Sequence, residues 1–180
     1  MIEVYKTANK NVYEKVKTAI ARHICSSFEI LRTENGKPYI EGNPLFFSIS
    51  HSKNTAVFAL SDSPVGIDLE FVDGKKSIKS VLSRFTEREK TQINGDLFKF
   101  YENWTVKEAY IKLTGGTLAH DLKRLEYDGG ILYCDGKAVD ITPNIIKLKN
   151  NGICAIFGGI TLKLSDFKRF YTHKREGIIC

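Results

Sequence analysis

Three short runs rich in apolar and β-branched residues, at positions 45–50, 55–60 and 65–72, crowd the middle of the chain, and Ser61-Asp-Ser-Pro64 turns the second into the third. Runs of that length and composition predict β-strands. Residues 98–113 then form the clearest helical segment, preceded by shorter helical pieces at 78–85 and 87–93. Ahead of the strands, residues 2–5 alternate weakly as a short strand. Residues 11–23 place Val12, Val16, Ala19, Ile20 and His23 at three- and four-residue steps, one apolar helical face with Lys15, Lys17 and Arg22 mostly outside it. Glu34-Asn-Gly-Lys-Pro38 is a turn by chemistry, because Asn-Gly takes positive φ readily and Pro38 ends any helix. Five further strands are expected at 122–127, 130–134, 145–148, 153–157 and 161–164, and residues 171–180 read as a polar tail. Helices set between antiparallel runs predict an α+β fold.

The chain has 180 residues, one ordinary domain or two small halves sharing an interface. At 42% hydrophobic residues it can bury a core, which excludes a disordered or collagenous protein. A net charge of +6 suits an anionic partner, whether nucleic acid, a phosphorylated cofactor or an acidic protein. No stretch approaches the roughly 20 apolar residues of a membrane span, and residues 153–164 are broken by Gly158, Gly159 and Lys163. The N-terminus lacks the basic-then-apolar layout of a signal peptide. Cys25, Cys134, Cys154 and Cys180, and His23, His51, His120 and His173, follow no metal-ligand spacing, so the thiols are expected reduced in a cytoplasmic protein without zinc.

Four clusters carry possible chemistry. In Val65-Gly-Ile-Asp68-Leu-Glu70 the two acids share one face of a strand, their bases about 7 Å apart. Converging carboxylates can hold Mg²⁺ while it keeps waters for a phosphate; the plain alternative is a solvent-facing strand edge. In Trp104-Thr-Val-Lys107-Glu108-Ala-Tyr-Ile-Lys112, Glu108 and Lys112 stack one turn apart, either as a metal carboxylate beside a phosphate-binding ammonium or as an ordinary surface ion pair. Ser50-His51-Ser52 puts two hydroxyls and an imidazole at a strand mouth, able to donate to a phosphate. A hydrolase triad fits poorly, since no G-x-S-x-G elbow is present. Lys37, lifted by the Gly36-Lys-Pro turn, is a phosphate ligand or a solvated loop lysine. Together the clusters supply three carboxylates for one Mg²⁺ and two lysines and a histidine for phosphates, a set suited to chemistry at a pyrophosphate. No G-x-x-x-x-G-K-[ST] loop accompanies them.

In this order, Gly-Lys-Pro, Phe-x-Ile-Ser-His-Ser, Val-Gly-Ile-Asp-Leu-Glu, Arg-Phe-Thr-x-x-Glu and Trp-x-x-Lys-Glu-Ala-x-x-Lys resemble the phosphopantetheinyl transferases of the surfactin-synthetase-activating type, from Gly36 to about Leu118. The closing strands, 152–157 and 160–164, also resemble that family's end. The resemblance implies two pseudo-symmetric α+β halves, each a small antiparallel sheet on a long helix, with the active site between them. The halves fall at residues 1–65, joined by the strand near 160–164, and 66–160, which carries the metal site. It further implies transfer of 4′-phosphopantetheine from coenzyme A to a serine of an acyl or peptidyl carrier protein, by a Mg²⁺-dependent monomer of the holo-[acyl-carrier-protein] synthase type.

Residue by residue, Asp68, Glu70 and Glu108 match the family's metal acids. Glu89 matches the acid proposed as general base, and Lys112 the lysine on the phosphates, which also assists the leaving group. Lys37, Ser50 and His51 match contacts to the nucleotide 3′-phosphate. Mg²⁺ and Lys112 would offset charge at the departing phosphate, and a serine hydroxyl needs a base at neutral pH. Larger family members carry a longer basic N-terminal region, whereas 35 residues precede Gly36 here, so a weaker hold on the nucleotide end is expected. After Lys112, Thr114-Gly-Gly-Thr-Leu-Ala119 follows the family's Gly-x-Gly-Leu-Ser loosely.

Two other classes compete with this reading. One is an inactive or decayed relative serving as a basic binding module for RNA or an acidic protein. The intact acids at 68, 70 and 108 and the lack of a basic stripe interleaved with aromatics speak against it. The other is a different Mg²⁺ phosphodiester enzyme, which has no use for the Gly-Lys-Pro and Ser-His-Ser contacts. Lys75, Lys76 and Lys79 follow the acid strand, either to meet an acidic carrier or as a solvated loop.

Overall fold

The fold is described from a computed structural model, over residues 1–24, 27–42, 45–75, 77–159 and the strand backbone of 162–164. Strand β1 (Ile2–Ala8) leads through a short 3₁₀ turn into helix α1 (Val12–Ile20). A two-stranded hairpin, β2 (Ile30–Arg32) and β3 (Pro38–Ile40), is followed by β4 (Phe46–Ser52), β5 (Thr55–Ser61) and β6 (Gly66–Phe71). Helices α2 (Lys79–Leu82), α3 (Glu87–Ile93), α4 (Leu97–Thr114) and α5 (Leu118–Asp121) come next. The chain continues with β7 (Leu125–Asp128), β8 (Ile131–Cys134), β9 (Lys137–Ala138), β10 (Asn144–Leu148), β11 (Gly152–Phe157) and β12 (Leu162–Leu164). Mixed helix and antiparallel sheet make this an α+β fold, as the alternation of helical and strand patterns predicts.

Strand alternation explains the layers. One sheet runs β12-β1-β5-β4, with β1 parallel to β12 and antiparallel to β5. A second runs β10-β11-β6, all antiparallel. Ile2 and Val4 of β1, Val57 and Ala59 of β5, Ile67 and Leu69 of β6 and Cys154 and Ile156 of β11 fill one core between the sheets. The alternate residues Tyr5, Ala56, Phe58 and Leu60 pack on the apolar face of α1. On the far side of the second sheet, Ile153, Ala155 and Phe157 pack with α4. The order is therefore helix, sheet, sheet, helix, and the face of β6 bearing Asp68 and Glu70 is the one turned to α4. A small sheet, β7-β8-β9, covers α4 from another side, which is why this helix buries Thr105, Val106 and Lys107 in succession.

Helix α4 approaches β6 so closely that a Cβ on Gly66 would lie 2.0 Å from the Ala109 carbonyl oxygen and 2.5 Å from the Leu113 nitrogen. Only glycine fits there. The helix is capped by Asp96, whose carboxylate accepts from Phe98 and Lys99, and ends in Gly115 with φ +73°.

Some local expectations shift. The first helix stops at Ile20, leaving His23 exposed and 3.4 Å from Glu3. Hairpin β2-β3, strand β9 and helix α5 are additional. The expected strand at 122–127 opens as a 3₁₀ turn at Leu122–Arg124 before β7. Cys134 is half-buried and Cys154 buried, both as free thiols. Cys25, Lys76, His173, Cys180 and the polar tail at 171–180 lie outside the described residues.

Candidate active site

Asp68 is the pivot. Its side chain is 3% exposed, and Oδ1 accepts a hydrogen bond from Lys112 Nζ at 2.6 Å and another from the Ser50 hydroxyl at 2.6 Å. Its second oxygen, Oδ2, is buried and has no hydrogen-bond partner among the described residues. Glu70, next on the same face of β6, accepts from the Ser52 hydroxyl at 2.9 Å. Glu108 rises from α4 with Oε2 4.0 Å from Lys112 Nζ. The one-turn spacing thus brings Glu108 and Lys112 together as the sequence predicts, but the tighter ion pair of Lys112 is with Asp68.

The charges are strained toward one another. Burial, then the Asp68 carboxylate, pushes the Glu108 carboxyl up to about 8, with Glu70 adding and Lys112 opposing. Burial works against the Lys112 ammonium, yet Asp68 and Glu108 outweigh it and hold the group above the usual lysine range. Among the described residues no three acidic, imidazole or thiol groups form a ready-made metal cage. The donors nonetheless fit a hard divalent cation: an orphaned buried carboxylate oxygen, two further acids and no soft ligand are what such an ion requires.

A cavity of about 280 Å³ opens beside this cluster, lined by Arg32, Lys37, His51 and Lys112 together with Tyr13 and Ser48. His51 is exposed. Lys37 donates to the Leu113 carbonyl at 2.7 Å, one of the unpaired groups at the end of α4, and burial lowers its pKa. Asn35 likewise donates to the Gly115 carbonyl at 2.9 Å. Arg32, which donates to the Tyr13 hydroxyl and the Gly36 carbonyl, is a pocket cation that sequence reading missed. Its signal was position alone, five residues before Lys37 on the far arm of the Asn-Gly turn.

Ser50 and Ser52 do not open onto a mouth. The strand runs on through Ser52, so Ser50 and Ser52 face β6 and its carboxylates while His51 faces the cavity.

Glu89 is elsewhere and fully enclosed. It pairs with Lys107 at 2.6 Å, both side chains 0% exposed. Oε2 also accepts from the Thr86 N–H, and Oε1 from the Tyr127 N–H. The Thr86 hydroxyl accepts from Glu89 N in return, completing a capping box at the start of α3. Lys107 Nζ sits 4.0 Å from the Phe85 ring centroid, and burial, partly opposed by Glu89, lowers its pKa. Three donors occupy this carboxylate, and an approaching hydroxyl has no open route to it in this arrangement.

The family model for the ACPS, 4′-phosphopantetheinyl transferase superfamily matches residues 64–130, the stretch that holds Asp68, Glu70, Glu89, Glu108 and Lys112. Over that segment the chain is similar to the 4′-phosphopantetheinyl transferase superfamily. It is 31% identical over 143 residues to the 4′-phosphopantetheinyl transferase gsp of Aneurinibacillus migulanus, covering 72% of this chain and 59% of that protein. It is 37% identical over 115 residues to the 4′-phosphopantetheinyl transferase psf-1 of Bacillus pumilus, covering 56% of this chain and 47% of the relative. The 4′-phosphopantetheinyl transferase AcpT of Salmonella typhi is 32% identical over 109 residues, 56% of this chain and 57% of AcpT. The chain thus spans about half the length of these phosphopantetheinyl transferases. No helix among the described residues is long and apolar enough to cross a membrane.

Proposed function

We propose that the protein moves the 4′-phosphopantetheine group of coenzyme A onto a serine of an acyl or peptidyl carrier protein and releases adenosine 3′,5′-bisphosphate, as a holo-[acyl-carrier-protein] synthase type enzyme. The observation that carries the reading is the Asp68 carboxylate, one oxygen held by Lys112 and Ser50 and the other buried and unpartnered among the described residues, inside the segment matched to the superfamily. Asp68, Glu70 and Glu108 are the residues that would hold Mg²⁺, whose charge would stabilise the reacting pyrophosphate.

The remaining work belongs to the chain's own groups. The bond formed joins the carrier serine oxygen to the phosphorus bearing the pantetheine arm, and the serine proton passes to solvent water. The bond broken is the pyrophosphate P–O bond, whose electrons leave on the nucleotide phosphate. Lys112, kept protonated by its acids, offsets that charge. Arg32, Lys37 and His51 line the cavity suited to the nucleotide phosphates. Glu89 is read as the anchor of α3 and α4, since both its oxygens are hydrogen-bonded within the core. The two helix-sheet pairs are read as pseudo-symmetric halves, residues 1–65 and 66–160, with the site between them in a cytoplasmic monomer.

Intact-mass spectrometry of several apo carrier proteins, incubated with this protein, coenzyme A and Mg²⁺, tests the reading. A phosphopantetheine mass gain that disappears with chelator is expected. No gain on any carrier would overturn it, and free phosphopantetheine released without an acceptor would favour a phosphodiester hydrolase.

A further inference from the structure

Strand β6 lies at the edge of its sheet, so the N–H groups of Ile67, Leu69 and Phe71 point away from β11 and need other acceptors. Three serines of β4, two residues apart, provide them. Ser48 accepts from Ile67 N at 3.2 Å, Ser50 from Leu69 N at 3.2 Å and Ser52 from Phe71 N at 3.4 Å. All three serines are buried. The edge strands of the two sheets are therefore joined by side-chain hydroxyls in place of a backbone ladder.

Two of the three make a second bond. A serine hydroxyl that accepts an N–H still has its own proton to give. Ser50 gives it to Asp68, the residue before Leu69, and Ser52 gives it to Glu70, the residue before Phe71. The same two-point hold is built twice, one strand period apart, while among the described residues Ser48 contacts the backbone alone and faces no carboxylate.

We propose that Ser50 and Ser52 are positioning residues that aim the Asp68 and Glu70 carboxylates at the bound cation, and that β4 thereby fixes the site from the neighbouring sheet. The inference rests on the cation reading given under Proposed function. It turns Ser50 from a nucleotide ligand into a carboxylate orienter and gives Ser52 a role. With Ser50 and Lys112 both on Oδ1, the Asp68 side chain is held with Oδ2 as the oxygen left to coordinate. Groups that orient metal ligands through hydrogen bonds are typically worth about ten- to a hundredfold in metal affinity.

Electron paramagnetic resonance of Mn²⁺ titrated into the full chain without coenzyme A, alongside thermal unfolding, separates this role from simple strand docking. Ser50→Ala and Ser52→Ala are each expected to weaken Mn²⁺ binding about tenfold. Ser48→Ala, which loses an equivalent backbone bond, should change it less than about twofold, and Ser52→Thr, which keeps the hydroxyl, should restore most of the affinity. If Ser50→Ala does not fold, Ser52→Ala against Ser48→Ala decides alone. Equal weakening by Ser48→Ala and Ser52→Ala, or none from Ser52→Ala, would overturn the positioning role while leaving the cation site standing. A wild-type chain that binds no Mn²⁺ would overturn both.

Discussion

Gly66 and Ala109 stand backbone to backbone, with 2.0 Å between the Ala109 carbonyl oxygen and the place a Gly66 Cβ would occupy. That contact seats α4 on β6 and so sets Glu108 and Lys112, next along the helix, against Asp68 and Glu70. Gly66→Ala should cost about 3 kcal/mol or more, because the clash is with main-chain atoms that cannot rotate away. Urea unfolding measures it. A variant as stable as wild type would mean that the helix and strand are further apart than described.

The buried pair of Glu89 and Lys107 predicts an asymmetry. Lys107→Met alone strands a carboxylate in the core and should cost about 3–5 kcal/mol, whereas Glu89→Leu combined with Lys107→Met should recover much of that loss. Glu89→Gln would strand the Lys107 ammonium in the same way, so the double variant, which removes both charges, is the one that should retain transfer activity within about tenfold. A loss of about a thousandfold or more in kcat at unchanged stability would restore Glu89 as the proton acceptor.

Glu108 makes stability fall with rising pH. Its folded pKa, pushed up to about 8 from 4.5, lies above the unfolded one, so between those values the native state holds the extra proton. Stability therefore declines as pH rises through that window. In chelator, the melting temperature should drop from pH 5 to pH 8.5 more steeply for wild type than for Glu108→Gln, and Mg²⁺ should recover the loss at the alkaline end. The two proteins differ at that one carboxyl, so parallel profiles would contradict the assignment.

Lys37 and His51 line one cavity but differ in attachment. His51→Ala should raise the apparent KM for coenzyme A and leave the melting temperature unchanged, since the residue is exposed. Lys37→Met should raise the KM too and also lower stability by about 1 kcal/mol, because the Leu113 carbonyl at the end of α4 loses its donor. Steady-state kinetics beside thermal unfolding tests both, and effects confined to kcat would remove these residues from nucleotide binding.

What the letters reveal depends on how local the physics is. The Asp68 and Glu70 pair on β6 and the Glu108 and Lys112 pair on α4 follow from strand and helix periods, and both stand where those periods put them. The three-residue strands β2 and β3 are too short to show a period. Glu89 carried two signals at once. Thr86-Glu-Arg-Glu89 is a capping-box pattern at a helix start as well as part of the family resemblance, and the fully buried carboxylate follows the first. The serine ladder combines two visible alternations, Ser-x-Ser-x-Ser and Asp-x-Glu. Their meeting is set by the packing of two sheet edges, which neither alternation encodes. Asn35 and Lys37 reach the helix end only through a fold that brings residues nearly eighty positions apart into contact.

Strand β1, made about 160 residues before its outer partner, takes that partner from β12, with Ile2 beside Leu162. During synthesis at about 5–20 residues per second, that side of β1 waits roughly ten to thirty seconds for its complement to leave the ribosome. Until then the nascent chain carries an unpaired, apolar strand margin open to any other extended segment. Yield of this protein in cells should consequently respond to elongation speed and to chaperones that shield newly made strands, and β12 acts as the clasp that ends the exposure.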